Sequence, residues 1–369
     1  MDTTLTDSPA PTAQSETLYP VQYLRAAAAL VVMLFHVSVL SQETWGLDPG
    51  RVDYVGAAGV DLFFVISGFI MAMIVARAGR FDAREYWIRR IARVAPAYWV
   101  ITCLVFVLAA LVPSLFNSTT ADITSLVASL LFVAVDTGNG TTVPLLVVGW
   151  TLNYEIFFYA IVALTAGLFS DRRLLGASGV IICLVLAGIA LQPTNPSLAF
   201  YTDPILLEFV FGIFIFRTWS RTGSAGLSFT PVIVFALGAS LLALQWERPL
   251  VDWRAFYWGV PAAAVLYGGL GALRFRSRFL ARLGDWSYAL YLTHLFVITL
   301  YIKHVIPWDA MITLPWQAHY LIMTVAAFAV AGGYYTLVEK PLSRWTLQRL
   351  SRRLPQACLP AGTAREAAE

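Results

Sequence analysis

Two ionisable side chains bracket an otherwise apolar stretch, LRAAAALVVMLFH, at residues 24–36. Arg25 and His36 are eleven positions apart. In a helix that is about three turns, so both lie on one face, roughly 16 Å apart along the axis. The separation is about half the hydrocarbon thickness of a bilayer. One helix would thus hold a cation near one membrane surface and a titratable base well inside it.

Other ionisable residues interrupt apolar runs in the same way. Asp61 opens GVDLFFVISGF, Glu155 lies in WTLNYEIFFY, Glu208 in ILLEFVFG, and His294, with Tyr291 before it, in GDWSYALYLTHLF. Such groups are costly at membrane depth and mark function by default. Each also has a plainer reading. Arg25 would serve as a snorkelling anchor, His36 as a helix-packing hydrogen-bond partner, Asp61 as a favourable charge at a helix N-terminus, and His294 as a neutral core histidine. The carboxyls of Glu155 and Glu208 are harder to dismiss, because an unpaired one costs several kcal/mol. In WIRRIARVAPAYW, Arg89 and Arg93 are i, i+4 and Arg90 and Arg93 are i, i+3, so the three share a face. Clustered guanidiniums match phosphate oxygens bidentately, although basic residues would collect at an inner membrane surface in any case.

The elements that must position these groups are membrane helices. Of 369 residues, 59% are hydrophobic and only 13% charged, against roughly 25% charged for a soluble domain, and the mean hydropathy is +0.70. Apolar runs of spanning length recur at 21–40, 59–78, 94–112, 150–169, 174–191, 204–220, 226–245, 255–273, 284–302 and 317–337. The expected fold is an all-α integral membrane protein, about ten helices in one bundle. The stretch 121–135 is too short to cross and suits a re-entrant or interfacial segment. With both termini cytoplasmic, nearly all of the 25 basic residues fall inside, and only Arg51, Arg248, Arg254 and Lys303 lie outside. An eleventh span at 121–135 would invert every later loop.

His36, Asp61, Glu155 and Glu208 then all fall in the outer half of the membrane, and the arginines at the inner side. That layout suits an anionic molecule docking from the cytoplasm. The net charge of +3 reflects topology and implies no nucleic acid, because basic and aromatic residues are not interleaved on a soluble domain. Trp45, Tyr54, Tyr201, Trp246, Trp253, Trp308 and Trp316 sit in the outer loops, as an interfacial belt or as platforms for sugar rings.

Residues 1–20 are polar and Pro/Thr-rich and read as a disordered cytoplasmic tail without a cleavable signal. The membrane domain spans 21–345, and 346–369 read as a basic cytoplasmic tail. Cys103, Cys183 and Cys358 are scattered, and the four histidines lack ligand spacing, so neither a disulfide framework nor a metal is expected.

The residues resemble the acyltransferase-3 family of integral membrane O-acyltransferases. LRAAAALVVMLFH is similar to its Arg, ten residues, then His; GVDLFFVISGFIM to its second-helix motif; RRIARVAPAYW to its Arg-x-x-Arg segment with Pro and an aromatic; WTLNYEIFFY to its Trp-Ser/Thr-Leu-x-x-Glu-x-x-Phe-Tyr; GDWSYALYLTHLF to its Ser-Tyr-x-x-Tyr-Leu-x-His; and VEKPLSR to its closing Glu-Lys/Arg-Pro. The resemblance implies transfer of an acyl group, usually acetyl, from cytoplasmic acyl-CoA to a hydroxyl of a cell-surface polysaccharide or lipid-linked oligosaccharide at the cytoplasmic (inner) membrane. By position, Arg25 and His36 match the Arg/His pair, and Arg90 and Arg93 the Arg-x-x-Arg. About 30 residues follow the last span without a Gly-Asp-Ser motif, so a stand-alone type lacking a hydrolase-like domain is expected.

On this reading the arginines hold the phosphates of acetyl-CoA. His36 acts as general base on a sugar hydroxyl, with Glu155 or Asp61 orienting its ring. Direct transfer and an acyl-histidine intermediate both satisfy the sequence. The competing class is a proton-coupled transporter of a glycan precursor or small metabolite, against which stands the lack of internal repeats and paired broken helices. A catalytically inactive subunit of a glycan export complex is a third option.

Overall fold

A computed structural model describes residues 18–45, 56–116, 119–136, 140–168, 173–222, 229–244, 253–306 and 314–351. The expected tails up to residue 17 and from 352 lie outside these, as do Arg51, Tyr54, Trp246, Arg248 and Trp308. The described residues form helices without a strand: α1 Tyr19–Trp45, α2 Gly59–Arg77, α3 Ala83–Leu111, α4 Ile123–Leu130, α5 Trp150–Leu168, α6 Arg173–Leu191, α7 Pro196–Tyr201, α8 Leu207–Thr222, α9 Thr230–Ala243, α10 Val260–Ala272, α11 Arg278–Asp285, α12 Ser287–Leu300, α13 Trp316–Tyr334 and α14 Lys340–Ser351.

Eight helical stretches are long and apolar enough to cross a membrane, and the chain is an all-α multi-pass membrane protein. Two of the ten expected spans are not among them, and only the first is short. The first, 226–245, is helical over the 14 residues of α9, about 21 Å at 1.5 Å per residue. The second, 255–273, is a π turn, Ala255–Gly259, running into the 13 residues of α10. These two helices pack on each other, with Gly268 set against the backbone of Phe235.

Segment 121–135 contains only the eight-residue α4, about 12 Å long and unable to cross. Asp122 caps it by accepting from Ser125 N at 2.6 Å. Trp99 Nε1 donates to Leu130 O at 2.8 Å, and Tyr98 packs on Phe132, which fastens α4 along α3.

Lipid-facing and central helices separate by burial. In α6 only 17% of the apolar window is buried, against 67% in α2. The exposed face of α6 carries Ile182, Leu186 and Ile189, side chains that only lipid would cover without cost. Helix α2 lies against α8 across Gly68 and Gly212, each of which meets backbone of the other helix where any Cβ would collide.

Two helices run longer than their apolar windows. Helix α3 starts at Ala83 because Asp82 accepts from the backbone N–H of Arg84 and Glu85 at 2.8 and 3.0 Å. Its first turns, carrying Arg84, Arg89, Arg90 and Arg93, therefore precede the apolar part as ordered helix. At the other end, a π turn at Tyr335–Glu339 joins α13 to α14, so the helix passes the expected end at 337 and reaches Ser351. Pro96 lies inside α3 and cannot donate to the ladder. Nearby, Tyr288 donates to Val94 O at 2.8 Å and Tyr334 to Ala97 O at 2.7 Å, tying α12 and α13 to this stretch.

Candidate active site

Helices α1, α2, α3, α5 and α12 enclose a cavity of about 110 Å³. Arg25, Arg90 and Arg93 line it together with Glu155, Ser67, Thr151, Tyr159, Ser287, Tyr288 and Tyr291. Three guanidiniums thus share one small space with one carboxylate. Arg25 donates to Gln22 Oε1 at 3.3 Å, and Gln22 in turn donates to Asp285 Oδ1 at 3.0 Å. Arg90 lies over the ring of Tyr159 at 6.0 Å, and its buried Nε has no hydrogen-bond partner. A buried guanidinium N–H without an acceptor is costly, and an anionic or carbonyl-bearing ligand would relieve that cost.

Glu155 Oε1 accepts from Ser67 Oγ at 3.2 Å and from Tyr159 OH. The carboxylate expected to orient His36 is thus engaged within the cavity, among the arginines. Arg89, expected on the phosphate face, donates from Nε and Nη2 to Glu85 Oε1 at 3.0 and 2.7 Å. The i−4 carboxylate on its own helix satisfies it, and it is not among the cavity's lining residues.

At the far end of the cavity, Tyr291 OH donates to Val148 O at 2.8 Å and sits 2.8 Å from Thr151 Oγ1. Its ring is 6.1 Å from that of Phe63 and 6.0 Å from that of His294. His294 Nε2 lies 3.2 Å from His36 Nδ1, with ring centroids 4.9 Å apart. The two histidines expected separately, on α1 and α12, therefore form one pair beyond Tyr291. His294 is 1% exposed, whereas His36 is half-buried and retains an accessible edge.

Asp61 is placed elsewhere than its expected role beside His36 requires. Arg254 donates to both its carboxylate oxygens, Nε to Oδ1 at 3.0 Å and Nη2 to Oδ2 at 2.9 Å. The physical reason is that a fully buried carboxylate needs a counter-ion. The Arg254 guanidinium also stacks over Trp258 at 4.7 Å and Trp150 at 5.9 Å. Glu208, 0% exposed, lies beside this pair and apart from the cavity. Sequence reading assigned Arg254 to an outer loop. The signal available for it was that Asp61 inside a span must have a partner, and that Trp253 and Trp258 flank a lone arginine.

Among the described residues no group of three or more His, Cys, Asp or Glu is arranged to hold a metal ion. The site is a basic cavity leading to an imidazole pair. Guanidiniums grip an anionic handle, and an imidazole exchanges a proton with a reacting hydroxyl or thiol.

Comparison with known proteins follows the same line. A family described as an acyltransferase domain matches residues 19–336. The exopolysaccharide production protein ExoZ of Rhizobium meliloti (strain 1021) is 32% identical over 321 residues, covering 85% of this chain and 95% of that protein. The acyltransferase MdmB of Streptomyces mycarofaciens is 28% identical over 386 residues, covering 93% of this chain and 95% of its own length. The O-acetyltransferase OatA of Staphylococcus aureus (strain NCTC 8325 / PS 47) is 23% identical over 376 residues, covering 89% of this chain but 58% of its own length. No solved structure matches. With the match running through nearly every membrane helix, the chain belongs to the acyltransferase-3 family of membrane acyltransferases.

Proposed function

We propose that this chain is an acetyl-CoA-dependent O-acetyltransferase of the cytoplasmic (inner) membrane, acting on a hydroxyl of a cell-surface polysaccharide or lipid-linked oligosaccharide. The observation that carries this reading is the convergence of Arg25, Arg90 and Arg93 on one cavity whose other end, at Tyr291, adjoins the His36–His294 pair. A cavity of about 110 Å³ is small against the 300–1,000 Å³ of ordinary ligand sites. It suits the pantetheine arm and acyl group, with the nucleotide phosphates held at the arginine mouth. Glu155 supplies an acceptor for an amide N–H of that arm. The polysaccharide role named for ExoZ and the O-acetyl transfer named for OatA support a glycan acceptor.

In the reaction, His36 Nε2 takes the proton of the acceptor hydroxyl as its oxygen attacks the thioester carbonyl. The C–O bond forms, the C–S bond breaks, and the CoA thiolate leaves with the proton returned by His36. No oxidant, reductant or metal enters this balance. Such base catalysis contributes about 10²–10⁴-fold, so His36→Ala should lose at least about 100-fold in turnover while inserting and folding normally. Near-normal turnover in a folded His36→Ala protein would make His36 a packing residue.

The test of the whole reading uses oriented vesicles holding the full chain. O-deacetylated polysaccharide from the source strain is enclosed on one side, and acetyl-labelled acetyl-CoA is supplied on the arginine side. Labelled polysaccharide, with CoA retained outside, is the expected result. Uptake of polysaccharide or its precursors without label transfer would favour a carrier, and transfer only when donor and acceptor share one face would remove the trans-membrane geometry.

A further inference from the structure

The hydrogen bonds of the two histidines assign their protons. His36 Nδ1 is 2.9 Å from Val32 O, and His294 Nδ1 is 3.0 Å from Leu290 O. A carbonyl only accepts, so both Nδ1 atoms carry hydrogen; a bare nitrogen there would oppose two lone pairs. His294 Nε2 is then bare in the neutral ring and faces His36 Nδ1–H at 3.2 Å. His36 Nδ1–H is therefore shared between Val32 O and His294 Nε2. Its remaining nitrogen, Nε2, holds the only free lone pair of the two rings and lies on the half-buried residue of the pair.

We propose that His294 is a positioning residue for acyl transfer, its Nε2 accepting from His36 Nδ1–H so that His36 presents Nε2 as the base. This rests on the proposed base role of His36 and reassigns the orienting partner from a carboxylate to an imidazole. Asp61 is held by Nε and Nη2 of Arg254, and Glu155 by Ser67 and Tyr159, so neither carboxylate makes this bond. The imidazole acceptor is itself fixed from behind, because Leu290 O holds His294 Nδ1–H. When His36 gains the hydroxyl proton at Nε2, the charge is stabilised through Nδ1–H toward His294, and no net proton leaves the pair. An acceptor that is neutral strengthens with the charge developing on His36 and does not pin the ring as an imidazolium beforehand. Such an acceptor works only if its lone pair stands where Nε2 stands.

The substitutions follow from that geometry. Gln places an amide oxygen near the position of Nε2, whereas Asn places its own near Nδ1 and leaves His36 without its acceptor. His294→Leu and His294→Asn should lower kcat about 100-fold with donor and acceptor KM changed less than about twofold, and His294→Gln should recover to within about tenfold of the unmodified enzyme. A role in packing alone predicts instead that Leu is tolerated best and that Gln and Asn behave alike; that ranking would overturn the proposal. An independent readout is nitrogen NMR of ring-labelled histidine in the full chain in nanodiscs, with His36→Gln and His294→Gln proteins assigning the signals. The expected pattern is Nδ1 protonated and Nε2 bare on both neutral rings, and a His36 ring protonated at Nε2 overturns the proposal even if a variant misfolds. Unchanged kcat in His294→Leu beside an inactive His36→Ala removes the positioning role alone, whereas activity in both removes the base reading beneath it.

Discussion

The molecule sets arginines against carboxylates in two places inside the bundle, and it treats them differently. At the Asp61 end, one guanidinium meets one carboxylate through two hydrogen bonds, between the faces of Trp258 and Trp150. In the cavity lining, Arg25, Arg90 and Arg93 meet one carboxylate, already bonded to Ser67 and Tyr159, with Glu339 and Asp285 near Arg25 and Arg93, and a buried guanidinium N–H of Arg90 is left without an acceptor. The first arrangement pairs its guanidinium without a ligand and joins α2 to the segment entering α10, although both carboxyl oxygens of the neighbouring Glu208 lack a partner. The second keeps a buried donor of Arg90 open toward the cavity, which an oxygen of a phosphate group would fill. Buried charge by itself therefore does not mark a binding site; an unpartnered donor on a residue that lines a cavity points to one.

Breaking the paired end should have the largest effect. Asp61→Ala leaves Arg254 buried without its counter-ion, and removing one member of a buried pair costs about 3–5 kcal/mol. Thermal unfolding of the detergent-solubilised protein should register that loss, while the surviving folded fraction keeps its donor KM. The Asp61→Asn, Arg254→Gln double variant should recover much of the stability, since both charges leave together. A loss below about 1 kcal/mol in Asp61→Ala would dissolve the contrast.

At the cavity the ordering is reversed: binding should fall while stability holds. Arg93→Ala should raise donor KM about 10–100-fold, the worth of a hydrogen bond to a charged group, with unfolding changed by less than about 1 kcal/mol because Arg93 is exposed. Arg93→Lys should recover the point charge but not the bidentate fork, and so only part of the affinity. Arg89→Ala should matter least. Its pair with Glu85 is partly exposed, 34% and 21%, and pairs of that kind are worth about 0.2–1 kcal/mol. Donor KM and stability should both stay within about threefold and about 1 kcal/mol; a strong KM effect would return Arg89 to the phosphate site.

What was legible in the sequence was local. Arg25 and His36 on one helix face, and Arg90 with Arg93 on another, follow from 3.6 residues per turn, and the structure keeps both relations. The start of α3 was also present, in Asp82 followed by Ala83–Glu85, but an apolar window passes over a charged first turn. Long-range pairing was not legible. Asp61 and Arg254 are 193 positions apart, and His36 and His294 are 258 apart. Nothing in either residue's neighbourhood states which distant helix it will meet. Charge asymmetry set Arg254 on the outer side, the same side as Asp61, but said nothing of their pairing. Glu155 shows the same limit, since its helix was readable and its hydroxyl partner on α2 was not.

The central claim, that the cavity arginines form the donor site, is tested most directly by ligand-linked stability of the purified full chain. A ligand that binds only the folded state stabilises by RT ln(1 + [L]/Kd), about 2.7 kcal/mol at a hundredfold excess over Kd. Coenzyme A should raise the unfolding temperature of the unmodified protein and of Arg89→Ala alike. It should leave that of the Arg90→Ala, Arg93→Ala double variant unmoved at the same concentration. An equal rise in the double variant would contradict the account, and the three arginines would then be no more than charge collected at the inner membrane surface.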